Sequence, residues 1–238
     1  MAYIEGFLTP VPAARKADNI AHAERAAPML KELGVVRMVE NWGHDVPRGK
    51  LNDMYGAVAA EEGEVVVFSW FEYPDRATRD AASERMMNDP RFADMMADMP
   101  FDARRMVYGG FASVHDHGIP RSPGYVDGVL MPITADGQAR YAEHAARLAP
   151  MFADVGALRV LDAIEDDVNA GDVTDFHRAV HREGDERVGF GWIEWPDKAT
   201  RDAGWNTLMA DERMQNAGAP PYDGKRMIFG GFATIIDV

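Results

Sequence analysis

Two glutamates come nearest to acid–base chemistry in this chain. Glu72 and Glu194 each follow a tryptophan by two residues, Trp70 and Trp192. A carboxylate held beside an indole, away from water, rises in pKa and can trade protons near neutrality. The competing reading ties each glutamate to an arginine such as Arg37 or Arg105 as a structural ion pair. Asp53 and Asp175, taken with Arg37 and Arg159 and with Arg105 and Arg226, compose either a polar ring in a cavity or salt bridges at the ends of a sheet. A third constellation is Arg187 with Gly189 and Gly191: two missing side chains beside a cation that clamps carboxylates through paired hydrogen bonds.

The histidines offer less. His22 and His144 fall in helical segments, and helix packing outweighs catalysis because no fixed partner is evident. His177 and His181, read as strand residues, stand about 13 Å apart, too far to share a metal. His115 and His117 stand about 7 Å apart if extended, but no third ligand is near, so they read as solvated linker and no metal is expected. Asp75, Thr78, Arg79 and Asp80 recur as Asp197, Thr200, Arg201 and Asp202, which is the chemistry of a capped helix start. Tyr108-Gly109-Gly110-Phe111 lies in a strand and lacks the Lys-Ser/Thr of a phosphate loop. Nucleophile elbow, zinc-protease, dinucleotide and calcium-loop signatures are absent from the sequence, so no cofactor is expected.

Those residues are positioned by a duplication. Tyr3–Pro10 answers to Tyr125–Pro132, Gly34 to Gly156, Arg37 to Arg159 and Glu64–Asp80 to Glu186–Asp202, all at a shift of 122. After one deletion, Gly109-Gly110-Phe111 answers to Gly230-Gly231-Phe232. The register predicts a first unit over 1–117, a linker over 118–124 and a second unit over 125–238. In each unit the pattern predicts a strand ended by Pro10 and Pro12, a helix capped by Gly34, a strand to Trp42, a hairpin of Asp53–Ala60 with Val65–Tyr73, a helix capped by Asp75, and a last strand over Arg105–Val114. This is an α+β class: a ferredoxin-like split βαβ unit with one added strand. Its helices cover one sheet face, so the two bare faces are expected to pack together inside one chain, the alternative being two independent units that each dimerise with another chain.

Across Glu64–Tyr73 and Glu186–Trp195, identity and difference alternate. Glu64, Val66, Phe68, Trp70 and Glu72 are kept, while Val65, Val67, Ser69, Phe71 and Tyr73 become Arg187, Gly189, Gly191, Ile193 and Trp195. The two sets lie on opposite strand faces. The kept face is expected to pack under each unit's own helices. The diverged face is then expected to look across at the other half, with any cavity near Gly189 and Gly191.

Composition narrows the partners. The 238 residues carry 25 basic against 39 acidic side chains, a formal charge of −14, which repels a phosphate backbone and disfavours nucleic acid. There is no cysteine, which excludes disulfides and thiolate chemistry. The segment 1–12 has no signal-peptide pattern and no apolar run reaches membrane length, so a cytoplasmic protein without membrane contact is expected.

The stretches Val66-Val67-Phe68-Ser69-Trp70-x-Glu72-Tyr73-Pro74 and Met99-Pro100-Phe101-Asp102-x-x-Arg105-Met106-x-Tyr108-Gly109-Gly110-Phe111 closely resemble the family of domain of unknown function 1428, the YbaA-like family. Asp223-Gly224-Lys225-Arg226-Met227-Ile228-Phe229-Gly230-Gly231-Phe232 carries the resemblance in the second copy. It implies an intramolecular version of the dimeric α+β barrel, in which two ferredoxin-like units pack sheet to sheet. It implies no single activity, since that fold group holds small monooxygenases, haem enzymes and binding proteins. The leading expectation is a protein that binds a small molecule between its two sheets. Its alternatives are a cofactor-free enzyme of oxygenase or isomerase type, and a structural protein that forms further homo-oligomers.

Overall fold

The computed structural model describes residues 2–238. The first half runs β1 (Tyr3–Pro12), α1 (Lys16–Glu32), β2 (Arg37–Asp45), α2 (Met54–Ala57), β3 (Glu64–Tyr73), α3 (Arg76–Asn88), α4 (Pro90–Ala97) and β4 (Val107–Gly118). The second repeats that order with β5 (Tyr125–Ile133), α5 (Gln138–Asp154), β6 (Arg159–Asp167), α6 (Phe176–Ala179), β7 (Arg187–Trp195), α7 (Lys198–Ala210), α8 (Glu212–Gln215) and β8 (Ile228–Asp237). Gly34 and Gly156 follow the long helices at φ near +104° and +102°, a backbone that favours glycine. Asp75 and Asp197 cap α3 and α7 by accepting from the amides of Thr78 and Thr200.

Three local expectations fail, each for a physical reason. Asp53–Ala60 is no strand, so the units have no added strand. Met54, Ala57 and Val58 are buried at helical spacing, and Asp53 caps α2 by accepting from the Gly56 amide at 2.8 Å. Its counterpart Asp175 caps α6 in the same way, which removes His177 and His181 from any strand. Second, β1 continues through Pro10 and Pro12. Pairing with β4 stops at Leu8, leaving β1 an edge on that side, where proline is tolerated. Third, β4 runs on through His115 and His117, which pair with Asp162 and Val160 of β6, so they are strand residues.

All eight strands close into one barrel, in the order β1-β3-β2-β8-β5-β7-β6-β4. The halves are stitched edge to edge twice, β2 to β8 and β4 to β6. The faces are reversed from expectation. The kept residues point into the barrel, where Phe68 stacks on Phe190 at 4.8 Å and Trp70 on Trp192 at 4.1 Å between ring centroids. A residue near a pseudo-twofold axis meets its own counterpart, so the two must be compatible, and identity follows. The diverged face packs against each unit's own helices and has changed with them. Gly6 and Gly128 admit the opposing rings, since a Cβ there would stand 2.6 Å from Phe190 and 2.7 Å from Phe68. Met54, Phe176, Phe111 and Phe232 complete the filling, as an eight-stranded barrel permits. The space between the sheets is therefore core.

Candidate functional site

At the far end of β3 and β7 the polar residues cross between the halves. Arg159 donates to Glu72 at 2.7 and 3.0 Å, and Arg37 donates to Glu194 at 2.8 and 3.0 Å. Each arginine also holds an acid at the end of the opposite unit's last strand, Arg159 to Asp116 and Arg37 to Asp237. The indoles of Trp70 and Trp192 donate to Glu72 and Glu194. Burial works against the charge of Arg159, but its bonds to Asp116 and Glu72 more than offset this, and its pKa stands above the ordinary value. Burial raises the Glu194 carboxyl, while Arg37 pulls it the other way. Both glutamates are consumed by structural pairing, with arginines of the opposite half.

Other candidates are also engaged. Asp53 and Asp175 are helix caps. Arg105 forms a forked pair with Glu64 and Arg226 with Glu186, at 2.6 to 2.8 Å. Arg187 donates to the Glu165 carbonyl, and His177 bonds the Glu165 carboxylate. His115 and His117 stack with centroids 6.3 Å apart. No group of three or more potential metal-binding side chains occurs among the described residues.

The cavity lies elsewhere. About 450 Å³ opens between the second unit's sheet and α5. Val129, Ile193, Leu148 and Phe152 give it apolar walls, and Phe229, half exposed, brings it to solvent. The corresponding space in the first unit is occupied: Phe7 packs on Phe71 at 4.7 Å and beside Tyr108 at 6.4 Å. Phe7 has become Val129 and Phe71 has become Ile193, so the second unit is hollow where the first is filled. Of the pocket candidates Arg187, Gly189, Gly191, Glu72, Glu194, Trp70, Trp192, Arg37, Arg159, Asp53 and Asp175, only Trp192 borders it. Gly191 acts from behind: a Cβ there would stand 3.1 Å from the Asp162 carboxylate.

A few polar groups interrupt the walls. Asp162 on β6 accepts from the Tyr141 hydroxyl of α5 at 2.9 Å. Burial pushes this carboxyl up to about 6, with Tyr141 opposing. His144, one helical turn beyond Tyr141, is 7% exposed, receives Arg147 at Nδ1 at 3.1 Å, and has a buried Nε2 without a partner. Burial, then Arg147 and Arg140, lower its pKa, favouring the neutral ring. The Tyr222 ring meets His144 edge-on at 5.9 Å. At the other end Asp127 is fully engaged by the Trp195 and Trp205 indoles and by Arg201. Chemically this is a largely apolar chamber with one acid poised near neutrality and one unsatisfied histidine.

A family model described as protein of unknown function (DUF1428) matches residues 2–103 and again residues 124–224. The chain belongs to the DUF1428 family. YbaA of Escherichia coli K12 is 52% identical over 116 residues, 49% of this chain and 99% of YbaA, and YbaA of Shigella flexneri matches to the same extent. This DUF1428 chain is thus two YbaA-length units in tandem. Among solved structures it is similar in fold to a candidate monooxygenase of Lactobacillus acidophilus (TM-score 0.57, 7% identity, covering 100% of this chain and 95% of the other). Another candidate monooxygenase, of Fusobacterium nucleatum, gives 0.58 at 9% identity with 99% and 93% covered. An anthrone oxidase-like protein gives 0.55 at 12% with 100% and 92% covered. These likenesses establish the barrel.

In this DUF1428 chain, sequence reasoning passed over Asp162, Tyr141 and Tyr222. One signal was available: Glu40 and Asp162 are acids at matching positions, each directly after an apolar pair, Met38-Val39 and Val160-Leu161. Glu40 is likewise pushed up by burial, to about 7, and accepts from Asn19 at 2.9 Å. Among the described residues no helix is long and apolar enough to cross a membrane.

Proposed function

We propose that this protein binds a small, largely apolar molecule of about one or two rings in the chamber between the second unit's sheet and α5. The supporting observation is the exchange of Phe7 and Phe71 for Val129 and Ile193, which empties in one unit what the other fills. Protein interiors seldom leave such space, and a chamber of this size, apolar with a few convergent polar groups, is the usual form of a small-molecule site. The site is thus moved from the inter-sheet space to the helix side. The first unit serves as a scaffold that completes the barrel. The acidic, cysteine-free composition fits a cytoplasmic setting.

The test is ligand-dependent melting across a panel of bicyclic aromatics and cyclic ketones, with the wild-type chain and the refilled variant Val129→Phe/Ile193→Phe. Wild type is expected to melt higher with at least one class, because a ligand that binds only the folded state stabilises it. The refilled variant is expected not to respond. No response across the panel, or an equal response in the refilled variant, overturns the reading.

A further inference from the structure

We infer that the chamber of the second unit is a proton-transfer site for a cyclic ketone or hydroxy-carbonyl compound bearing an acidic C–H beside its carbonyl, with Asp162 as base and His144 as donor to the carbonyl oxygen. The inference rests on the binding reading above and adds chemistry to it.

Two unfilled hydrogen-bonding capacities carry it. Tyr141 engages Oδ1 of Asp162, while Oδ2 has no protein donor among the described residues. Tyr141 is a positioning residue, fixing the carboxylate while leaving one oxygen free. For His144 the tautomer follows from its neighbour. A guanidinium only donates, so the Nδ1 that Arg147 reaches must accept, and the proton of the neutral ring sits on Nε2. That N–H is buried without an acceptor, a costly state that a ligand oxygen would relieve. An open acceptor and an open donor in one apolar chamber match a molecule that presents an acidic hydrogen beside an oxygen.

The step balances without a co-reactant. Asp162 as carboxylate takes the proton from carbon. The C–H electron pair becomes a C=C bond, and the carbonyl π pair moves to oxygen, where the His144 Nε2–H stabilises the enolate. Asp162, now a carboxylic acid, either exchanges its proton with solvent and returns a solvent hydrogen to the same carbon, or returns the proton to another carbon or to oxygen. The net reaction is hydrogen exchange or isomerisation. The titratable and charged groups around Asp162 are His115, its cross-strand partner on β4, Tyr141 and His144 from α5 and Tyr222 from the segment before β8, with Asp127 and Arg201 at the chamber's other end. The first unit supplies an internal control. It keeps the polar frame as Asn19, Glu40 and His22, but Phe7 and Phe71 leave no room for a substrate.

The probe is 2-tetralone in D2O, followed by proton NMR for loss of the hydrogens beside its carbonyl, with the buffer rate subtracted. Line broadening of the same ketone reports binding. Wild type is expected to accelerate exchange, with a rate that rises through an apparent midpoint near pH 6. Asp162→Asn is expected to bind the ketone and lose at least about tenfold in the protein-catalysed rate, a modest share of what a positioned base supplies. Glu40→Gln is expected to match wild type. Tyr141→Phe is expected to move the midpoint upward, since the hydroxyl favours the charged carboxylate. Binding without exchange, equal exchange in Asp162→Asn, or a flat pH profile in wild type overturns the proton-transfer inference and leaves the binding reading intact. No binding of this ketone in wild type overturns the proton-transfer inference, and the binding reading falls with it only if the whole melting panel also gives no response.

Discussion

Arg159 closes on Glu72 through two hydrogen bonds, 2.7 and 3.0 Å long, that run from β6 of one unit to β3 of the other. Arg37 and Glu194 repeat the contact by pseudo-twofold symmetry. Arg159→Ala is expected to lower the unfolding free energy by about 3–5 kcal/mol, because it takes both short bonds from the buried Glu72 carboxylate and leaves Arg37, at 3.4 Å, as its only cation. Arg159→Met with Glu72→Met is expected to lose less than the two single changes summed. Urea denaturation of wild type, Arg159→Ala, the two Met single variants and the double Met variant measures both. A loss below about 1 kcal/mol in Arg159→Ala would show that the cross is not structural.

The first half expressed alone leaves β2 and β4 without their cross-unit partners, and the second half leaves β8 and β6 without theirs. Residues 1–118 are expected to form a homodimer in which a second copy supplies those edges and a second Phe68 and Trp70. Sedimentation at micromolar concentration checks this, and a well-behaved monomer contradicts it.

Trp70→Ala and Trp192→Ala are each expected to cost about 3–5 kcal/mol, the usual loss for a buried large aromatic. The indoles stack at 4.1 Å, so their losses are expected to couple. Phe71→Ala on the helix side is expected to be milder, since Ile193 already serves at its counterpart. Denaturant midpoints rank the three, and equal small losses would contradict the face assignment.

Gly189→Val restores the first unit's residue but not its surroundings. A Cβ at Gly189 would stand 2.9 Å from Met131 and 3.0 Å from Ile133. The change is expected to destabilise by about 1–3 kcal/mol through overpacking. A stable variant would mean that space is open there.

The Asp162 carboxyl is pushed from its ordinary 3.8 up to about 6 in the folded chain. Between those values the folded state binds more protons than the unfolded state, so stability falls as pH rises. The contribution is fully present below pH 3.8 and is lost through pH 6, by about 3 kcal/mol from this group. Asp162→Asn keeps an acceptor for Tyr141 and removes the charge. It is expected to be more stable than wild type at pH 7.5 and flatter between pH 4 and 6, as read by urea titrations at several pH values. An Asn variant weaker than wild type at pH 7.5 would mean the carboxylate is better solvated than its burial implies.

The sequence alone determined the duplication and the α+β class, because register, strand period and capping residues are local and additive along a chain. The barrel was implied by the resemblance to the DUF1428 family, and its closure belongs to the tertiary structure. Asp75, Asp197 and Gly34 were legible for the same reason. The period-two comparison of Glu64–Tyr73 with Glu186–Trp195 separated two faces but carried no sign: alternation shows that faces differ and leaves open which one looks inward. Closure of β2 on β8 and β4 on β6 decided that, by bringing Trp70 onto Trp192. Asp53–Ala60 misled because the helix inside it, Met54–Ala57, has only four residues, too few for its period to be told from a strand's. The chamber was also beyond local reading. It depends on what α5 sets opposite Val129 and Ile193, and a missing side chain makes a cavity only where no neighbour moves in to fill it.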